Sequence, residues 1–240
     1  LSGSLVTITS STMRGNTATN AGGALFVLGS KLFVNPKEHA TEVVVLLNNS
    51  ALIGGHLYLE SSSLLAVKTE GAVHLVIQNG RASNFGGGVA CIGSTVDMHR
   101  TTVEDNEAGM DGGGLYGVLC LLNGIASTFS RNEAVGAGGA LYFTSISNIV
   151  LKKVVISKNV AGGAGGGLTA IRARELFMTD SQVIENTGAE GGGLNLDSTL
   201  SQPVLQNVQI HQNEAKSGGG GGILWIHEIP ELLQTELKDG

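Results

Sequence analysis

Aromatic and charged residues are scarce in this chain: they make up 4% and 14% of its 240 residues. With so few rings, any core must be assembled from small aliphatic side chains, which favours stacked layers over a globule built round large residues. Lysine and arginine form no run interleaved with aromatics, and the formal charge is -6, so the electrostatic footprint of a nucleic-acid-binding protein is missing. No apolar run approaches the roughly 18 residues of a membrane-spanning helix. The chain opens without a signal-peptide pattern or an initiating Met, and a repeat is already under way at Leu5 to Ile8. It reads as an excised part of something longer, inserting nothing of its own into a membrane.

Some chemistry is missing as well. No Gly-x-Ser-x-Gly elbow exposes a nucleophilic serine, and no Gly-Lys-Ser or Gly-Lys-Thr ending turns a glycine block into a phosphate loop. The histidines His39, His56, His74, His99, His211 and His227 fall at different offsets in the repeat, which argues against a zinc site. The best carboxylate cluster is Glu104, Asp105 and Glu107 with Asp111, near Arg100 and Arg131. It reads as a solvated turn edge rather than a calcium site or an acid and base pair. No catalytic residue, metal or cofactor is expected.

Glycine, by contrast, occurs 37 times, about twice its usual share. Asparagine marks the period. Asn16, Asn49, Asn79, Asn106, Asn132, Asn159, Asn186 and Asn213 lie 33, 30, 27, 26, 27, 27 and 27 residues apart. Three residues before each stands an apolar side chain: Met13, Leu46, Val76, Val103, Phe129, Ile156, Val183 and Ile210. After each a small-residue block closes, followed by Leu25, Leu57, Val89, Leu115, Leu141, Leu168, Leu194 and Ile223. Two residues further on come Val27, Leu59, Cys91, Gly117, Phe143, Ala170, Leu196 and Trp225, a second inward column, because strand side chains alternate faces.

A unit of about 27 residues made of short strands cannot bury its apolar face alone, so the units must stack with parallel pairing. The fold expected is an all-β, right-handed parallel β-helix of eight coils over residues 1–226. About 98% of parallel crossovers are right-handed. The asparagines should form one column at a turn, where their amides satisfy backbone groups and can ladder. The longer intervals should bulge as loops near Lys31 to His39 and Ser61 to Gly71, and residues 227–240 form a tail that caps the helix or links to a further domain.

Outward positions after the glycine block are Phe26, Tyr58, Ala90, Tyr116, Tyr142, Thr169, Asn195 and Leu224, so the aromatics Phe26, Tyr58, Tyr116 and Tyr142 are candidate surface-binding residues. If the strand runs straight through residue 120, Cys91 and Cys120 face opposite ways roughly 11 Å apart, too far for a disulfide. Cys91 then reads as a small core hydrophobe.

The motifs Phe129-Ser130-Arg131-Asn132, Gly138-Gly139-Ala140-Leu141 and Gly22-Gly23-Ala24-Leu25 resemble the repeats of the chlamydial polymorphic membrane proteins, marked by Phe-x-x-Asn and Gly-Gly-Ala-Ile/Leu/Val. Most coils here carry Gly-Gly-Gly instead, and that family's C-terminal membrane barrel is absent. The resemblance implies a β-helix at a cell surface and brings no catalytic residue. The reading is a non-enzymatic extracellular or cell-surface module for adhesion, binding or rigid spacing, its partner a protein or a glycan. The alternatives are an intracellular scaffold subunit and a polysaccharide-active enzyme.

Overall fold

In the computed structural model, which describes residues 3–34, 43–66 and 75–226, the chain winds as a right-handed parallel β-helix of about eight coils. Each coil contributes to four parallel sheets. The fifth coil illustrates them: Leu141–Thr144 lies in sheet D, Asn148–Lys152 in sheet A, Val155–Ser157 in sheet B and Val160–Ala161 in sheet C. Sheets A, B and D have eight strands and sheet C has seven. Register follows the sequence columns closely, as in Leu115↔Leu141↔Leu168 and Phe129↔Ile156↔Val183.

Most corners between sheets D and A, A and B, and B and C turn on a single residue in the left-handed region. After sheet B they are Asn48, Asn79, Asp105, Arg131, Lys158, Glu185 and Gln212, all with φ between 53° and 59°. This conformation costs a side chain something, least for Asn and Asp, and it aims each side chain at solvent. In the glycine block the demand is stricter. Gly112 has φ +70°, and a Cβ on Gly113 would overlap the carbonyls of Gly139 and Glu133 in the next coil.

The interior is a stack of aliphatic columns in which Leu57, Val89, Leu115, Leu141, Leu168 and Leu194 are fully buried. Two serine columns, not evident in the sequence reading, line the other corners. Between sheets D and A, Ser30 N–H donates to Ser62 Oγ at 3.2 Å, Ser62 N–H to Ser94 Oγ at 2.9 Å, and Cys120 N–H to Ser147 Oγ at 3.0 Å. Between sheets A and B, Thr101 N–H donates to Ser127 Oγ and Val154 N–H to Ser181 Oγ. Each serine satisfies an amide that the corner turns away from its sheet.

Two expectations about the chain's irregular parts need restating. Lys31–Val34 and Ser63–Ala66 are in-register strands of sheet A, not loop. The extra residues of the long intervals come after them, and the rest of both expected loops, like the tail at 227–240, lies outside the described residues. Trp225 pairs with Leu196 in the inward column yet is 55% exposed, because it belongs to the last coil described.

Candidate functional site

Asparagine amides form a ladder inside the corner between sheets B and C. Asn132 Oδ1 accepts from both the backbone N–H of Asn106 (3.2 Å) and its Nδ2 (2.9 Å). Asn132 Nδ2 donates back to the Val103 carbonyl and onward to Asn159 Oδ1. The same pattern joins Asn159 to Asn186, Asn186 to Asn213 and Asn16 to Asn49. Asn106, Asn132, Asn159 and Asn186 have almost no exposed surface.

Asn79 is not in the ladder. It is an exposed corner residue, and Gly80 occupies the ladder position, with its N–H donating to Asn106 Oδ1 at 2.8 Å. The true column partner of Leu46 and Val103 is therefore Ile77 and not Val76. The missing amide is replaced from the coil before. His56 stands where other coils have Gly or Ala at the end of the glycine block, and a Cβ on Gly80 would run into its imidazole. Asn49 Nδ2, which in a regular rung would donate to the next asparagine, donates to His56 Nδ1 at 2.8 Å. That leaves the proton of the neutral ring on Nε2, which is buried without a hydrogen bond. Burial pushes the ring's pKa down to about 4, a shift only partly opposed by the Gln78 backbone and the Asn106 side chain.

Cys91 and Cys120 form a disulfide across adjacent coils, Cα to Cα 6.3 Å, with both residues buried. The expectation of two distant, opposed cysteines fails because the strand does not continue. Leu115–Val118 ends at Leu119, whose φ of +54° turns the corner into sheet A and swings Cys120 inward. Cys120 takes the serine position of that corner. Beside it, Gly117 pairs with Cys91 and leaves room for both the Cys120 side chain and the Phe143 ring.

The carboxylate cluster is held in ion pairs and turns. Arg131 Nε and Nη2 donate to both oxygens of Asp105 at 2.8 and 3.0 Å, and Nη2 also reaches Glu104 Oε2 at 2.6 Å. The guanidinium holds the Asp105 carboxyl below its usual range. Glu107 pairs with Arg81, and Asp111 Oδ1 accepts from the Ala137 N–H at the next turn. Among the described residues no group of His, Cys, Asp and Glu could hold a metal ion. Nor is any helix among them long and apolar enough to cross a membrane.

On the outside of sheet D the aromatics do come together. Phe26 stacks on Tyr58 at 5.0 Å between centroids, and Tyr116 on Tyr142 at 5.4 Å, with planes 10° and 6° apart. Phe85, which the alternation could not assign because it lies before a strand in the glycine turn, stacks on Tyr116 at 4.6 Å. Tyr116 has a ring against each of its faces, whereas Phe26, Tyr58, Phe85 and Tyr142 each have one face against a ring. Burial, reinforced by Asp111 and Tyr116, pushes the Tyr142 hydroxyl up to about 12. Ala90, Thr169 and Asn195, expected to face outward into solvent, are buried. Thr169 Oγ1 is turned in to the Ala164 carbonyl, and Ala90 is too short to rise between its tyrosine neighbours in the column. Beside the stripe the row runs Leu28, Glu60, Ile92, Val118, Thr144 and Ile171, with Leu119 and Ile146 exposed at the adjoining corner.

No protein-family model, curated protein or solved structure matches this chain.

Proposed function

We propose that this β-helix is a non-enzymatic extracellular or cell-surface module that binds through the outer face of sheet D, as the resemblance to polymorphic membrane protein repeats implies. The observation that carries the reading is the buried Cys91–Cys120 disulfide, since such bonds form and persist in oxidising compartments and are rare in the cytosol. It speaks against an intracellular scaffold. The pairing of Glu104, Asp105 and Glu107 with arginines speaks against a polysaccharide-cleaving site there.

The outer face of sheet D carries stacked aromatics and aliphatic side chains over its first five coils, interrupted by Glu60 and Thr144, and aromatic residues are enriched at protein interfaces. A protein surface could pack across the rings and the neighbouring aliphatic side chains Leu28, Ile92 and Val118 together, and Tyr116, held between two rings, has no free face for a sugar. Beads coated with the chain should bind intact cells or their matrix, and the pair Tyr116→Arg and Leu119→Arg should weaken that by at least about tenfold, or roughly 1.4 kcal/mol. Equal binding by the variant contradicts the assigned face. Polymer cleavage that is lost with Asp105→Asn contradicts the non-enzymatic reading.

A further inference from the structure

We infer that Asn48 is an N-glycosylation site. The inference rests on the extracellular reading above. Of the chain's sixteen asparagines only Asn48, in Asn48-Asn49-Ser50, begins an Asn-x-Ser/Thr tripeptide.

The fold explains why the ladder asparagines never do. Two residues after each comes a position of sheet C facing inward: Ala51, Ala108, Ala134, Ala161, Gly188 and Ala215. Most of these are buried, and the column admits only small residues without a hydroxyl. A tripeptide acceptor can therefore arise only one residue earlier, where the corner residue points outward and the hydroxyl residue two places on lies in the outward column of sheet C. Asn48 meets both conditions. It is exposed with φ +53°, and its side-chain amide has no hydrogen-bond partner among the described residues. Ser50 stands in the outward column beside Thr17 and Arg81. Of the other corner residues in the column only Asn79 is an asparagine, and it is followed by Gly80 and Arg81; Glu185 has Thr187 two places on but carries no amide to modify.

The surroundings suit a sugar. Asn48 borders an open cavity of about 400 Å³ whose wall includes Asn79, Arg81, Asp105 and Glu107, donors and acceptors able to hydrogen-bond the first sugar's hydroxyls. The disulfide that carries the extracellular reading bears on the site as well, because the compartments that oxidise cysteines are also those in which this modification is made. In the transfer, Asn48 Nδ2 bonds to the anomeric carbon of an oligosaccharide carried on a lipid pyrophosphate. The bond from that carbon to the pyrophosphate oxygen breaks, the amide loses one proton, and the lipid pyrophosphate leaves. The product needs no change in the backbone at the corner.

The test is to secrete the full chain from a glycosylating eukaryotic cell and to read occupancy at Asn48 by mass spectrometry after peptide-N-glycosidase, which converts a glycosylated Asn to Asp. One glycan per chain is expected at Asn48, abolished in Asn48→Gln and in Ser50→Ala and retained in Ser50→Thr. Chain that is secreted with the Cys91–Cys120 bond formed but is unmodified at Asn48 overturns the site and leaves the surface reading standing. Chain retained in the cell with both thiols free overturns the surface reading and the site with it. Modification that persists in Ser50→Ala also overturns the assignment.

Discussion

His56 and Gly80 make one rung between them: the imidazole of the second coil fills the space that an asparagine side chain would take in the third. His56→Ala should cost about 2 to 3 kcal/mol, from a cavity and from the Asn49 amide left without its acceptor. Gly80→Asn alone should also destabilise, because its side chain would collide with the ring. Together, His56→Gly and Gly80→Asn remove the clash with the ring and should recover that part of the loss, while the Gly87 carbonyl, which also lies in the path of a Cβ at position 80, must still shift. A urea-unfolding double-mutant cycle reads the coupling directly; additive losses would mean that the two residues do not share the site.

The same ring makes stability depend on pH. An unfolded histidine takes a proton near 6.5, and His56 in the fold takes one near 4, amid uncharged neighbours. Between those values the unfolded chain binds more protons, so stability should fall as pH falls through that window, by roughly 3 kcal/mol in all. Subtracting the pH profile of His56→Ala removes the carboxylate contribution. A wild-type profile parallel to that of the variant would refute the buried neutral ring.

Removing the disulfide should cost about 3 to 4 kcal/mol, the value expected for closing a loop of 29 residues. The two cysteines should not be equivalent. Cys120→Ser places a hydroxyl in the column that already holds Ser30, Ser62, Ser94 and Ser147, whereas Cys91→Ser puts one among aliphatic side chains. Cys91→Ser should therefore be the less stable variant, and thermal unfolding of both checks the order.

Phe143 is fully buried and Tyr142, the next residue, is half-buried on the outside. Phe143→Ala should cost about 3 to 5 kcal/mol and Tyr142→Ala near 1 kcal/mol, from its stacking on Tyr116. Gly117→Val should be as damaging as Phe143→Ala, since its side chain would enter the space of that ring. Hydrogen exchange should show the coils next to the fifth loosening first. A larger loss from Tyr142→Ala would reverse the assigned faces.

The coil period, the parallel stacking and most inward columns follow from repetition, because a column that recurs in every coil declares itself whatever one coil does, whereas the division of each coil among four sheets does not. What repetition hides is compensation. Asn79 imitates the anchor because it is an asparagine one residue from the ladder position, and Ile77 and the histidine ending Gly54-Gly55-His56 are the signs of the shift. The disulfide is hidden for a related reason: strand alternation breaks at Leu119, and only the serine column marks the corner at Cys120. Phe85 is invisible to strand alternation because a turn residue has no alternation to assign it a face.

Whether this solenoid works outside the cell is read most directly from the oxidation state of Cys91 and Cys120 in protein recovered from its own cells. Trapped with an alkylating reagent under denaturing conditions, neither cysteine should react until a reductant is added, after which both should. Both taking up the reagent without reduction would contradict the extracellular reading.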